Sequence, residues 1–87
     1  MAGTWEAGTE EKFRQIIAKM PVFLRGMAEK AISLKAESLA AKDNRTLITE
    51  KDLVDALFLE TPFGFQGLMK NDLTAIGVDY MKYGYSK

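Results

Sequence analysis

The sequence contains no cysteine and no histidine. The first absence excludes disulfides, thiolate zinc sites and cysteine-ligated iron–sulfur clusters within this chain. The second removes the commonest acid–base and metal-ligand side chain, and with it any Ser/His/Asp catalytic set. Excess charge is missing too. Twelve Lys and Arg balance twelve Asp and Glu, for a net charge of +0, which argues against a strongly cationic nucleic-acid binder. No Gly-Lys-Ser/Thr phosphate cradle occurs. No apolar run approaches the roughly 20 residues that span a bilayer. The start, Met1-Ala2-Gly3-Thr4-Trp5-Glu6, lacks the basic residues and apolar stretch of a secretory signal. Glycine does not directly follow the methionine, as N-myristoylation requires. A cytoplasmic module with no membrane attachment, no metal and no cofactor is the expectation.

What is present suits one small helical domain over residues 1–87. Hydrophobic residues make up 47% of the 87, enough to fill a thin core. A first helix is expected from Thr9, with Glu10 and Glu11 in its first turn, where the helix dipole favours negative charge. Phe13, Ile16, Ile17 and Met20 follow at i, i+3, i+4, i+7 and form one apolar face. Trp5 is expected to fold back over the open end of the core. Pro21 then forces a corner, because the residue before a proline is pushed out of the helical region. A long second helix follows over about 21–42. Its apolar positions cover much of its circumference, which predicts neighbours on two sides. Gly26 within it predicts a close packing contact.

Asp43-Asn44-Arg45-Thr46 reads as a polar turn, and Leu47-Ile48 as a short extended piece. Thr49 caps a third helix, with Asp52 three residues on as a short-armed capping box, and Ile48 and Leu53 as its hydrophobic staple. Leu53, Val54, Leu57 and Phe58 form its buried face. Phe65, Leu68, Met69, Leu73 and Ile76 predict a fourth amphipathic helix stopped by Gly77. The carboxylates of Glu50, Asp52 and Asp55 are close in sequence but point three ways around a helix, so capping and solvation explain them better than metal binding. Arg25 and Glu29 are spaced for an ordinary i,i+4 pair.

The tail beyond Gly77 carries Tyr80, Met81, Tyr83 and Tyr85. With Phe63 and Phe65 these exceed what a four-helix core of this size needs, and such residues anchor interfaces or line pockets for planar ligands. On physical grounds the candidate contact surface is Phe23, Arg25, Gly26, Phe63, Phe65, Tyr80, Tyr83 and Tyr85. If the tail is that surface, deleting residues 78–87 spares folding and abolishes partner capture.

Two resemblances attach to particular residues. Over roughly residues 5–58 the chain shows Trp5-Glu6-Ala7, the corner Met20-Pro21-Val22-Phe23-Leu24-Arg25, Glu37-Ser38-Leu39-Ala40, and Ile48-Thr49 before a last helix. These resemble the small C-terminal domain of the light-independent protochlorophyllide reductase B subunit, which also occurs as a free-standing protein. Between Arg25 and Glu37 the chain is about one helical turn longer than that pattern. The resemblance implies an accessory domain, not reductase activity, since the family's cluster ligands and most of its substrate cavity belong to other domains. It also opens a tetrapyrrole-binding accessory as an alternative. The second resemblance is to the histone fold. Asn44-Arg45-Thr46-Leu47-Ile48-Thr49-Glu50-Lys51-Asp52-Leu53-Val54-Asp55-Ala56-Leu57 is similar to the second loop and third helix of histones, and implies Arg45 and Thr46 as contacts to a DNA backbone. The early Pro21 corner and the zero net charge depart from it.

The sequence therefore predicts an all-α domain of about four helices around a long central one, with a histone-fold-like helix–loop–helix at 21–60. It predicts a non-catalytic accessory or protein-binding module whose partner is another protein or a second copy of itself. A histone-like dimeric DNA binder and a tetrapyrrole-binding accessory are the alternatives.

Overall fold

Each helix of the domain starts and stops where a backbone device requires it. The computed structural model describes residues 4–87; the readings of Met1, Ala2 and Gly3 lie outside them. The order is β1 (Thr4–Trp5), α1 (Thr9–Ala18), α2 (Val22–Lys42), β2 (Leu47–Ile48), α3 (Glu50–Glu60) and α4 (Gln66–Ala75). Short 3-10 turns cover Phe63–Phe65 and Tyr80–Tyr83. The class is all-α. The two strands form a single parallel pair, Thr4 opposite Leu47 and Trp5 opposite Ile48. No helix among the described residues is long and apolar enough to cross a membrane.

α1 begins at Thr9 after Gly8, whose φ of 85° suits glycine. Phe13, Ile16 and Ile17 are buried, and Trp5 stacks on Phe13 with ring centroids 4.8 Å apart. α3 is capped as expected. Thr49 accepts from the Asp52 backbone N–H, and Asp52 accepts in return from the Thr49 backbone N–H. Ile48 and Leu53, the staple pair, are both fully buried. α2 and α4 end in the same way. Arg45 N–H donates to the Ala40 carbonyl and Asn44 N–H to that of Ala41, with Asn44 at φ 57°. Val78 N–H donates to Leu73 and Gly77 N–H to Thr74, with Gly77 at φ 84°. Both are Schellman motifs, whose left-handed residue suits glycine or asparagine.

α2 departs from expectation. It packs chiefly on α3 and less on α1, through Ile32, Ala36 and Ala40 at i, i+4, i+8. The alanines, small and buried like Ala56 on α3, allow the two helices to approach closely. Its N-terminal half is largely open, with Val22, Phe23 and Met27 exposed, and Leu34 beyond it is exposed too. Two-sided burial of α2 is therefore not met within one chain. The close contact expected at Gly26 is also missing, since a Cβ there would meet nothing within 4 Å.

The tail is packed rather than free. Val78 and Tyr80 are buried in the core. Tyr85 stacks on Phe58 at 3.8 Å between ring centroids and its hydroxyl donates to Asp55. Tyr83 donates to Glu50 at 3.0 Å. Truncation after Gly77 should consequently cost about 3–5 kcal/mol of a total near 5–10 kcal/mol. Urea unfolding followed by circular dichroism checks this; an unchanged midpoint for residues 1–77 would contradict it.

The same docking sets an alkaline limit. Burial, then the hydrogen bond to Glu50, pushes the Tyr83 phenol from 10.0 up to about 12, and burial and Asp55 raise Tyr85 likewise. A pKa raised on folding contributes stability below the unfolded value and loses it as pH climbs through the folded one. Stability should therefore fall above about pH 10. In a Tyr83→Phe/Tyr85→Phe variant that fall should be shallower, as read from urea midpoints across the alkaline range.

Candidate functional site

The corner between α1 and α2 is built by three adjacent features. Pro21 has no N–H to offer α1 and its ψ of 142° turns the chain out of the helix. The last carbonyls of α1 would then lack partners. Arg25, one turn into α2, reaches back to the corner: Nε donates to Met20 O at 3.0 Å and a terminal nitrogen to Ala18 O, the last carbonyl of α1, at 2.8 Å. The expected pairing of Arg25 with Glu29 is replaced by this staple.

With the corner fixed, the first half of α2 stands across from α4 and the Thr61–Phe65 connection. Between them lies an open groove of about 550 Å³. Its floor is core, with Ile16, Ile32 and Met69 all buried. Leu24 and Met27 rise on the α2 side, and Phe65 and Leu68 on the α4 side. Three of the chain's five methionines line it, Met20, Met27 and Met69, and methionine suits a surface that must adapt to its partner. The lips are charged and of opposite sign. Lys19 stands at the corner, and Glu60 and Asp72 on the α3–α4 side. Glu60 has Lys35 at 3.8 Å. Among the described residues Lys19 and Asp72 make no ion pair.

The candidates from sequence separate into three groups. Phe65 lines the groove. Phe23 and Phe63, 81% and 89% exposed, are one residue from Leu24 and Pro62, which line it; Gly26 is exposed nearby on α2. Tyr80, Tyr83 and Tyr85 belong to the tail packing described above, and Arg25 to the corner. Met27, Leu68, Lys19 and Asp72 were not singled out by sequence. Met27 lies four residues after Phe23, and Leu68 three after Phe65, so helical spacing marked both stripes but assigned them to a core.

Arg45 and Thr46 form a different cluster. Arg45 donates to both oxygens of Asp52 at 2.8 and 3.1 Å, to Asp43 at 2.8 Å and to Leu47 O at 2.9 Å. Its pKa is raised by these carboxylates. The Asp52 carboxyl is pushed up by burial, but hydrogen bonds from Arg45 and Thr49 outweigh that and hold it below its ordinary value. Thr46 is exposed, and its carbonyl accepts from Thr4 N–H. Glu50, Asp52 and Asp55 each face their own partner: Lys12 and Tyr83, Arg45, and Lys51 and Tyr85. Among the described residues no group of three or more acidic side chains is placed to hold a metal ion.

The corner staple is testable. Arg25→Met keeps the apolar stem and removes both donors, and should cost about 1–2 kcal/mol in urea unfolding. Glu29→Gln should leave the midpoint unchanged; equal losses from both variants would restore the helix-surface pairing.

Compared with protein-family models, curated proteins and solved structures, the chain matches none of them.

Proposed function

We propose that this chain is a non-catalytic protein-binding module and that the groove between α2 and α4 is its docking face. The observation that carries the reading is the groove itself: a methionine-rich apolar channel flanked by large exposed side chains in a domain of 87 residues. Monomeric proteins rarely expose contiguous apolar patches beyond a few hundred Å² unless the patch binds something. Phe23, Met27, Phe63, Phe65 and Leu68 are each more than half exposed, while the core is filled without them. The corner Met20–Arg25, one of the motifs that carry the resemblance to the appended reductase domain, gives the groove Met20, Pro21 and Leu24 and its staple Arg25. An accessory role beside a larger partner is consistent with that.

The alternatives have less support. A tetrapyrrole carries carboxylates, and Glu60 and Asp72 on the lip would repel them, with Lys19 alone to attract. A DNA backbone would have to draw Arg45 away from two carboxylates that already hold it.

A photo-crosslinking residue at position 27 or 68 tests the reading. In a lysate of the source organism it should yield discrete polypeptide adducts, with none from the same residue at Ser38, an exposed position on α2 that does not line the groove. Adducts from position 38 only, or none at 27 and 68, would overturn it.

A further inference from the structure

We infer that the polypeptide occupying the groove is a second copy of this chain, bound about a two-fold axis; this rests on the groove being a protein-docking face. Three observations converge.

The first is α2. Its sequence is apolar over most of its circumference, a pattern that calls for neighbours on two sides, yet with α3, α1 and β2 packed on it Val22, Phe23 and Met27 stay exposed. Phe23 and Met27 lie on the same stripe, four residues apart, and are 81% and 70% exposed. An unpartnered helix stripe and an apolar groove thus occur side by side on one molecule.

The second is charge. An isologous interface must be complementary to itself, so that each feature meets its counterpart under a two-fold rotation. Lys19 on one lip and Asp72 on the other satisfy that. A two-fold axis running along the groove sets the Lys19 lip of one copy against the Asp72 lip of its partner, and makes the pairing twice. With net charge +0, two copies approach without overall repulsion.

The third is area. Phe23, Leu24, Met27, Phe63, Phe65 and Leu68 are all exposed. Together they offer on the order of 800 Å² of apolar surface, which is what one partner contributes to a standard interface. Phe23 is the anchor in this arrangement. It projects beside the groove and enters that of the other copy, as buried aromatic hot spots do.

Sedimentation equilibrium of the full chain over about 1–500 µM tests this, with circular dichroism and urea midpoints as the folding control. The wild type should sediment as a dimer. Phe23→Glu should weaken the dimer more than about 30-fold, since hot-spot losses exceed ~2 kcal/mol, and leave the fold intact because the side chain is exposed; Met27→Glu should act likewise. Lys19→Asp and Asp72→Lys should each weaken it about tenfold, through two symmetry-related pairs of modest strength. The double exchange should restore it. A monomer at every concentration would overturn the second-copy assignment, while crosslinks to another polypeptide from position 27 would keep the docking face. A dimer indifferent to Phe23→Glu and Met27→Glu would overturn the assignment, and with no adducts from the groove the docking face as well.

Discussion

The carboxylate of Asp52 holds together the part of the molecule that is farthest from helical. It is nearly buried, 3% exposed, and an ionised group there needs hydrogen bonds for its oxygens. Arg45 supplies two, and Thr49 supplies its backbone N–H and its hydroxyl. That one group closes the capping box of α3, fixes the loop after α2, and sets β2 where the Thr4–Trp5 arm can pair with it. The arm in turn brings Trp5 onto Phe13, which ties α1 to the same end. Removing either charge would leave the other short of its main partner, so the loop behaves as one unit. Within the stretch that resembles histones, Arg45 is thus held by two carboxylates of its own chain.

The opposite end of α2 works by a different constraint. A proline breaks the chain between two helices, and a single guanidinium repairs the carbonyls that the break exposes. The result is a rigid corner rather than a flexible one. Rigidity matters because the corner sets one wall of the groove. The fold thus keeps an apolar surface open at one end while the other end is tied shut. The tyrosine tail contributes to this division. Its rings and hydroxyls cover Phe58, Glu50 and Asp55 on α3, on residues that take no part in lining the groove.

Much of this was legible in the residues. Helix starts at Thr9 and Thr49 and stops near Pro21 and Gly77 follow from local chemistry, since a cap or a left-handed residue acts within a few positions of itself. Core faces of α1 and α3 follow from periodicity for the same reason. The tail and the groove were harder, and for related causes. Tyr80, Tyr83 and Tyr85 look like surface-prone aromatics because nothing near them in sequence shows that Glu50, Asp55 and Phe58, some thirty residues away, will receive them. Phe65 and Leu68 share a helical stripe with Met69 and Leu73, and periodicity cannot tell which part of a wide stripe the chain itself will cover. Arg25 shows the limit most clearly. Its i,i+4 partner on α2 is the obvious one, but a helix end left open by a proline offers two carbonyls with no other donor, and that demand arises only in three dimensions.

The apolar content of α2 can be read as a statement about what the folded chain lacks. A helix whose apolar positions outnumber its buried ones costs solubility and favours unwanted association, so the excess needs a compensating use. Within the domain the small face of Ile32, Ala36 and Ala40 suffices to seat α2 on α3. Leu24 and Met27 face Phe65 and Leu68 across one channel, with Phe23 beside it, rather than being scattered. Grouping is the informative feature: isolated exposed hydrophobics are ordinary on any surface, whereas a channel with a buried floor, adaptable walls and lips of opposite charge specifies an occupant. Because the lips are complementary to each other as well as to a stranger, the occupant proposed above, a rotated copy of the chain, matches all three properties.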